Sequence, residues 1–147
     1  MFERVLVPVD FSDPSRAALR LGRDLVASSG GTLTLLHVSA LPWHASQELG
    51  MTPAGAELYQ DLAKDVSREQ MRALTEMANA ELPGPMDRAL LLREGFPPDE
   101  IAAQAKQGKH DVVVMGTHGR TGVSRAIMGS VAERVVRLCE IPVLITR

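Results

Sequence analysis

The most informative part of the sequence is DVVVMGTHGRTGVSRAIMGSVAERV, residues 111–135. It opens with a run of valines that predicts a buried strand at 111–116. It closes with SVAERV, whose apolar residues have helical spacing. Four of the twelve glycines of the chain lie between 116 and 129, together with hydroxyl and arginine side chains. A strand, a glycine-rich loop and a helix in this order indicate a candidate anion-binding loop.

The rest of the chain repeats this alternation of strand and helix. Short apolar runs predict buried strands, and longer segments with apolar residues three or four positions apart predict helices between them. Because parallel strands need crossover connections of this length, we expect an α/β fold: a single-domain, open, parallel five-stranded sheet with helices on both faces, Rossmann-like, over residues 1–147. The strands are expected at 4–9, 32–39, 86–95, 111–116 and 141–147.

Two of the predicted helices carry specific expectations. At the start of the first, Asp13 is expected to be the N-cap and Pro14 the first helical residue, since these residue types favour those positions. In the long second helix, Leu58 and Leu62 share a predicted face with later apolar residues. This shared face is what predicts the helix.

Composition and charge exclude several classes of protein. The 147 residues are 45% hydrophobic and carry a net charge of -2, without the basic excess of an electrostatic nucleic-acid binder. No apolar run approaches the ~18 residues of a membrane span, and the N-terminus lacks the pattern of a signal peptide. Cys139 is the single cysteine, so no internal disulfide can form. We expect a cytoplasmic protein with neither nucleic acid nor membrane as a partner.

Unusual residues end two of the predicted strands. The first strand ends in Pro8, Val9 and Asp10, and the fourth ends in Met115 and Gly116. Open α/β sheets bind ligands beyond the carboxyl ends of their strands, at the point where the strand order reverses. If these two strands are neighbours, that point lies between them and Asp10 faces the glycine-rich loop.

The loop has the composition of a phosphate-binding segment. Gly116 would allow a tight turn out of the strand, and Gly119 would allow a positive φ or a close approach to a ligand. Arg120 and Arg125 supply positive charge nearby. Ordinary turns between strands and helices also contain glycines, however, and solvated arginines are common on loops. Spacing alone leaves both interpretations open.

The end of the loop favours the phosphate interpretation. Gly129 and Ser130 lie at the predicted start of a helix, where free N–H groups and the helix dipole attract anions. Gly129 would let a phosphate touch the backbone, and Ser130 could cap the helix or donate to a phosphate oxygen. Neither G-x-x-x-x-G-K-(S/T) nor G-x-G-x-x-G occurs, so this is not a P-loop or a dinucleotide fingerprint.

The spacing of Gly116, Gly119 and Gly129-Ser130 resembles the G-x2-G-x9-G-(S/T) signature of ATP-binding universal stress proteins. The segments VLVPVDFSDPS, HDVVVMGTHGR and PVLITR are similar to the first, fourth and fifth strands of that family, with the residues flanking them. The resemblance implies a strand order 3-2-1-4-5. It also implies that the protein is a homodimer joined through the C-terminal strand, 142–146, since members commonly dimerise there.

The resemblance further implies a set of ATP-binding residues from three strand ends and one helix start. Val38, at the end of the second strand, would contact the adenine, and the residues of the glycine-rich segment would surround the ribose and phosphates. The implied residues are Pro8, Val9, Asp10, Val38, Met115, Gly116, Gly119, Arg120, Gly129, Ser130 and Val131.

Four residues near this set carry separate expectations. Phe11 stands where many family members have glycine, so the turn after Asp10 is expected to differ, and Ala132 stands where some ATP binders have a hydroxyl. Asp10 is a candidate Mg²⁺ ligand, a candidate acceptor for a ribose hydroxyl, or an ordinary turn residue. His37, within the second strand, is expected to be a structural histidine with a satisfied hydrogen bond.

Two functions are consistent with these features. The first is a universal stress protein that binds ATP and acts in the stress response as a regulatory module, through nucleotide-dependent contacts with an unidentified protein partner. The alternative is a slow ATPase or a phosphoryl or nucleotidyl transferase on the same fold. Phosphoryl transfer needs metal ligands and charge compensation, and the glycine-rich loop contains no lysine. The sequence therefore favours binding over turnover and offers no catalytic residue.

Overall fold

The computed structural model describes residues 2–39, 52–117 and 128–146. Its strands and helices alternate along the chain, as predicted. The strands are β1 (Arg4–Pro8), β2 (Thr32–Ser39), β3 (Arg88–Glu94), β4 (Val112–Gly116) and β5 (Val143–Thr146). The helices of the described ranges are α1 (Asp13–Ser29), α2 (Pro53–Glu81), α3 (Pro97–Gln107) and α4 (Ser130–Leu138).

The five strands form one parallel sheet in the order β3-β2-β1-β4-β5. The fold class is therefore confirmed, together with the strand order that the family resemblance implies. β1 pairs with β2 from Arg4↔Thr32 onward and with β4 at Val5↔Val112. The strand order reverses between β1 and β4, which places a topological switch point beyond their carboxyl ends.

The sheet is covered on both faces, and alternate residues of each strand pack on opposite sides. In β1, Val5 and Val7 belong to a core cluster with α1 and α2, whereas Leu6 belongs to a second cluster with α3 and α4. All three side chains are fully buried. Burial on both faces explains why the strands are continuous apolar runs in the sequence.

The first helix begins one residue earlier than predicted. Ser12 is the N-cap, with an extended backbone, and its Oγ accepts a hydrogen bond from the N–H of Ser15 at 3.4 Å. Asp13 is the first helical residue, where its carboxylate still interacts favourably with the helix dipole. The prediction of Asp13 as N-cap was wrong because two adjacent residues both suit that position.

The long second helix is present as predicted, but the apolar face of its first half is exposed. Leu58 and Leu62 are 52% and 48% exposed, while the buried residues of the helix are Leu74, Met77 and Ala78. A helix of 29 residues is about 44 Å long, far longer than strands of seven or eight residues. Only its last third therefore packs into the core. None of the described helices is long and apolar enough to cross a membrane.

Candidate functional site

A cavity of about 360 Å³ lies at the carboxyl ends of β1, β2 and β4, beside the start of α4. Its volume is within the range of small-molecule sites, and its position is the switch point of the sheet. Nine of the predicted site residues line it: Pro8, Val9, Asp10, Val38, Met115, Gly116, Gly129, Ser130 and Val131. The other two, Gly119 and Arg120, lie outside the described residues.

Gly129 is the N-cap of α4 and forms one end of the cavity. Its N–H donates to the carbonyl oxygen of Thr117 at 2.7 Å, which ties the helix start to the end of β4. Its φ of -62° and ψ of 150° are open to any amino acid, and Gly129 has no side chain with which to cap the helix. The backbone conformation therefore does not require glycine. What glycine provides here is the absence of a side chain beside the N–H groups of the first turn, which have no acceptor within the helix.

Ser130 does not cap the helix, contrary to one of the two roles expected for it. It is the first residue of α4, and its backbone is already helical. An N-cap side chain must come from the preceding residue, which is Gly129. The other expected role remains available, because Ser130 lines the cavity at the helix start.

Gly116 has a different structural reason from the one the sequence suggested. A Cβ atom at this position would lie 2.7 Å from the Cβ of Pro14 and 2.8 Å from its carbonyl carbon. Such distances are far shorter than van der Waals contact, and part of the clash is with backbone. Glycine is needed at 116 because the first turn of α1 packs directly against the end of β4.

Asp10 lines the cavity and also organises the turn between β1 and α1. Its Oδ1 accepts hydrogen bonds from the N–H of Ser12, at 3.1 Å, and from the Ser12 hydroxyl. The turn role proposed as an alternative is therefore observed, in a residue that also faces the cavity. Within the described ranges no group of three or more His, Cys, Asp or Glu side chains is placed to hold a metal ion.

The residue after Asp10 has an unusual backbone. Phe11 has a φ of +67°, in the left-handed region that glycine enters readily and other residues enter at a cost. Its ring packs against the first core cluster and lies 4.5 Å from the ring of His37. The turn thus keeps a glycine-type backbone although a bulky aromatic residue stands there.

Sequence reasoning missed several residues of the cavity wall. Leu36, Ile101 and Ala132 belong to the second core cluster and, together with the predicted Met115, give the cavity an apolar side. Val38, on the same face of β2, packs against that cluster. The periodicity of helices and strands identifies such residues as part of the core. It does not show that this part of the core opens into a cavity at the ends of the strands. The additional lining residues are Ser15, Leu36, His37, Pro97, Ile101, Thr117 and Ala132.

His37 is the structural histidine that the sequence predicted, although it also lines the cavity. Its Nδ1 lies 2.8 Å from the carbonyl oxygen of Val9. Burial lowers the pKa of His110, and the backbone N–H groups of Glu3 and Arg4 lower the pKa of Asp111.

A parallel sheet with a cavity at its switch point defines an α/β protein of Rossmann-like architecture. The comparison with known families agrees with this architecture and identifies the family. The model of the universal stress protein family matches residues 1–147, and the chain belongs to this family.

Similar proteins span nearly the same length. Universal stress protein MJ0531 of Methanocaldococcus jannaschii is 31% identical over 148 residues, covering 100% of this chain and 83% of the relative. The solved structure of MJ0577, from the same organism, superposes with a TM-score of 0.84 at 24% identity and covers 99% of this chain and 96% of its own.

Two further solved structures contain nucleotides. A universal stress protein in complex with cAMP has a TM-score of 0.65 at 24% identity, with 99% of this chain and 97% of that chain covered. The universal stress protein of Archaeoglobus fulgidus in complex with dAMP has a TM-score of 0.64 at 20% identity, with 99% and 98% covered. At these identities the likeness shows a shared fold.

Proposed function

We propose that this chain is a cytoplasmic, ATP-binding universal stress protein that acts as a regulatory module in the stress response, through nucleotide-dependent contacts with a protein partner. The observation that carries the proposal is the start of α4. Gly129 occupies an N-cap whose backbone does not need glycine, it leaves the helix uncapped, and it opens onto the cavity at the switch point. A bound phosphate accounts for all three features.

The two ends of the cavity suit the two ends of a nucleotide. Phosphates would lie at Gly129, Ser130 and Val131, where N–H groups of the first helical turn have no acceptor within the helix. The base would lie at the opposite end, near Val38 and the apolar side of the cavity. Asp10 lies between these ends and would accept a hydrogen bond from a ribose hydroxyl, or bind Mg²⁺ carried by the phosphates.

The proposal that the base of the nucleotide is adenine rests on the family. Two structures with the same fold contain adenine nucleotides, cAMP and dAMP, and the glycine spacing of this chain resembles the ATP-binding signature. A binding role rather than an enzymatic one is supported by the chemistry of the site. The glycine-rich loop has no lysine, and Asp10 is the one acidic side chain among the described residues that line the cavity.

We also propose that residues 1–147 act as one domain and that two copies form a homodimer through β5. This strand lies at the edge of the sheet and pairs with β4 on one side. An edge strand presents a row of N–H and C=O groups to which a second strand can add. Two copies related by a twofold axis could join these edges antiparallel in a closed contact.

Substitution of Gly129 tests the binding proposal. Gly129→Val would put a branched side chain where the phosphate meets the backbone, and we expect the affinity for ATP in isothermal titration calorimetry to fall by at least about tenfold, the equivalent of roughly 1.4 kcal/mol. Gly55→Val is a matched control, since Gly55 lies in the first turn of α2, away from the cavity lining. Undiminished ATP affinity in a folded Gly129→Val protein would reject the phosphate site.

A further inference from the structure

We propose that His37 is a positioning residue of the nucleotide site: it holds the turn from Val9 to Ser12 and thereby fixes the carboxylate of Asp10. This inference rests on the proposed nucleotide binding and assigns to His37 a role beyond packing. His37 acts through the turn and need not touch the ligand.

The first contact is with the end of β1. The N–H of Val9 donates to the carbonyl oxygen of Leu36 at 2.8 Å, and the carbonyl oxygen of Val9 lies 2.8 Å from Nδ1 of His37. A carbonyl oxygen only accepts hydrogen bonds, so Nδ1 must carry the hydrogen. Both backbone groups of Val9 are therefore held by β2, one by its backbone and one by this side chain.

The second contact is with Phe11. The His37 and Phe11 rings are 4.5 Å apart at an interplanar angle of 42°. Because strand residues alternate in direction, His37 lies on the same face as Leu33 and Leu35, which belong to the core cluster that Phe11 packs against. A non-glycine residue at φ +67° persists where its surroundings hold it there. The imidazole is part of that support.

These contacts lie on either side of Asp10. His37 holds the carbonyl group of Val9 immediately before Asp10 and the ring of Phe11 immediately after it. The Asp10 side chain is fixed further by Ser12, whose N–H donates to Oδ1 at 3.1 Å. With both neighbours of Asp10 held, the direction of its carboxylate at the cavity is set, and loss of the imidazole would release it.

A double-mutant cycle separates this role from a general loss of stability. His37→Phe keeps an aromatic ring beside Phe11 but removes the donor to Val9, and Asp10→Ala removes the carboxylate that His37 is proposed to position. ATP affinity is measured by calorimetry for the wild type, both single variants and the double variant, and each protein is also melted. We expect His37→Phe to weaken ATP binding roughly fivefold to tenfold, the effect of one hydrogen bond. In the Asp10→Ala background the same change should have less than a twofold effect, roughly within the error of additivity.

A second pair of variants keeps the test valid if His37→Phe folds poorly. In His37→Asn, the amide nitrogen takes a position close to that of Nδ1 and can donate to Val9, whereas in His37→Gln the amide lies one methylene further out. We expect the ATP affinity of His37→Asn to lie within roughly threefold of the wild-type affinity. The ATP affinity of His37→Gln should be lower than that of His37→Asn.

Three results would overturn the inference: wild-type affinity in His37→Phe, an equal loss in the presence and absence of Asp10, or equal rescue by Asn and Gln. Wild-type protein that binds no adenine nucleotide would overturn the proposed function as well, so the two failures are distinguishable.

Discussion

Phe11 has an unfavourable backbone conformation and favourable side-chain contacts. Substitutions can separate the effects of the two on stability. At φ +67° every residue with a Cβ pays a conformational cost of about 1–2 kcal/mol, which glycine does not. The ring offsets this cost through its contacts with the core and with His37. Phe11→Ala loses the ring and keeps the strain, whereas Phe11→Gly loses both.

We therefore expect Phe11→Gly to be more stable than Phe11→Ala by about 1 kcal/mol, measured by urea denaturation. This reverses the usual order, since glycine normally lowers stability relative to alanine by increasing the entropy of the unfolded chain. Glu69→Gly and Glu69→Ala, at an exposed position well inside α2, serve as the control pair and should show the usual order. An alanine variant at position 11 that equals or exceeds the glycine variant would contradict the left-handed backbone.

The site residues that could be predicted are those that end a recognisable strand or begin a recognisable helix. Asp10 and Met115 follow apolar runs whose ends are visible in the sequence, and Gly129 opens a recognisable helix. The reason for Gly116 was not predictable, because it depends on how closely Pro14 approaches from another part of the chain. The backbone of Phe11 was equally hidden, since an aromatic residue normally argues against a positive φ.

Between elements, Asp111 joins the start of β4 to the start of β1. Its Oδ2 accepts hydrogen bonds from the N–H groups of Glu3 and Arg4, both at 2.8 Å, and its own N–H donates to the carbonyl oxygen of Arg4 at 2.8 Å. The two N–H groups favour the charged carboxylate and hold the pKa of Asp111 below its usual value. Because the folded-state pKa lies below the unfolded-state pKa, this stabilisation is complete above about pH 4 and is lost as the pH falls through the folded-state pKa.

Asp111→Asn should therefore lower the free energy of unfolding at pH 7 by about 1 kcal/mol, because the neutral amide is a weaker acceptor. The difference between wild type and variant should shrink as the pH falls from 5 to 2, measured by urea denaturation across that range. Asp65→Asn is the control, since Asp65 forms an exposed ion pair with Arg68 on α2 and should matter little. A difference that is constant with pH would show that the Asp111 charge contributes nothing.

Most elements could be predicted because burial on both sheet faces leaves an unmistakable apolar pattern. The differences from the structure fall where the pattern is ambiguous. Ser12 and Asp13 are both good N-caps, and the local backbone decides between them. For α2, periodicity continued through Leu58 and Leu62, but the length of the sheet limits how much of that helix can pack.

At the scale of the whole molecule, the proposed homodimer depends on the outer side of β5. The N–H of Val113 donates to the carbonyl oxygen of Pro142 at 3.0 Å, and that of Thr117 donates to the carbonyl oxygen of Thr146 at 2.8 Å. Since backbone groups of a strand point alternately to its two sides, residues 143 and 145 direct theirs to the free edge. The side chains of Val143 and Ile145 pack against the second core cluster. The free edge can therefore be blocked through the backbone without disturbing the pairing with β4.

Ile145→Pro removes the outward N–H at the middle of β5, and edge strands tolerate proline. We expect it to convert a dimer to monomers while the fold is kept. Ile145→Ala is the matched control, because it also shortens the side chain but keeps the N–H, and it should remain dimeric. Light scattering during size exclusion would contradict the proposal if the wild type is monomeric at micromolar concentration or if Ile145→Pro stays dimeric.

The cavity at the switch point is proposed to bind an adenine nucleotide, and this can be tested on the purified protein. The most direct measurement is mass spectrometry of the small molecules released when the purified protein is denatured, with Gly129→Val prepared in parallel. We expect an adenine nucleotide, ATP, from the wild type and its depletion from the variant. A flavin alone, or a nucleotide that lacks adenine, would contradict it.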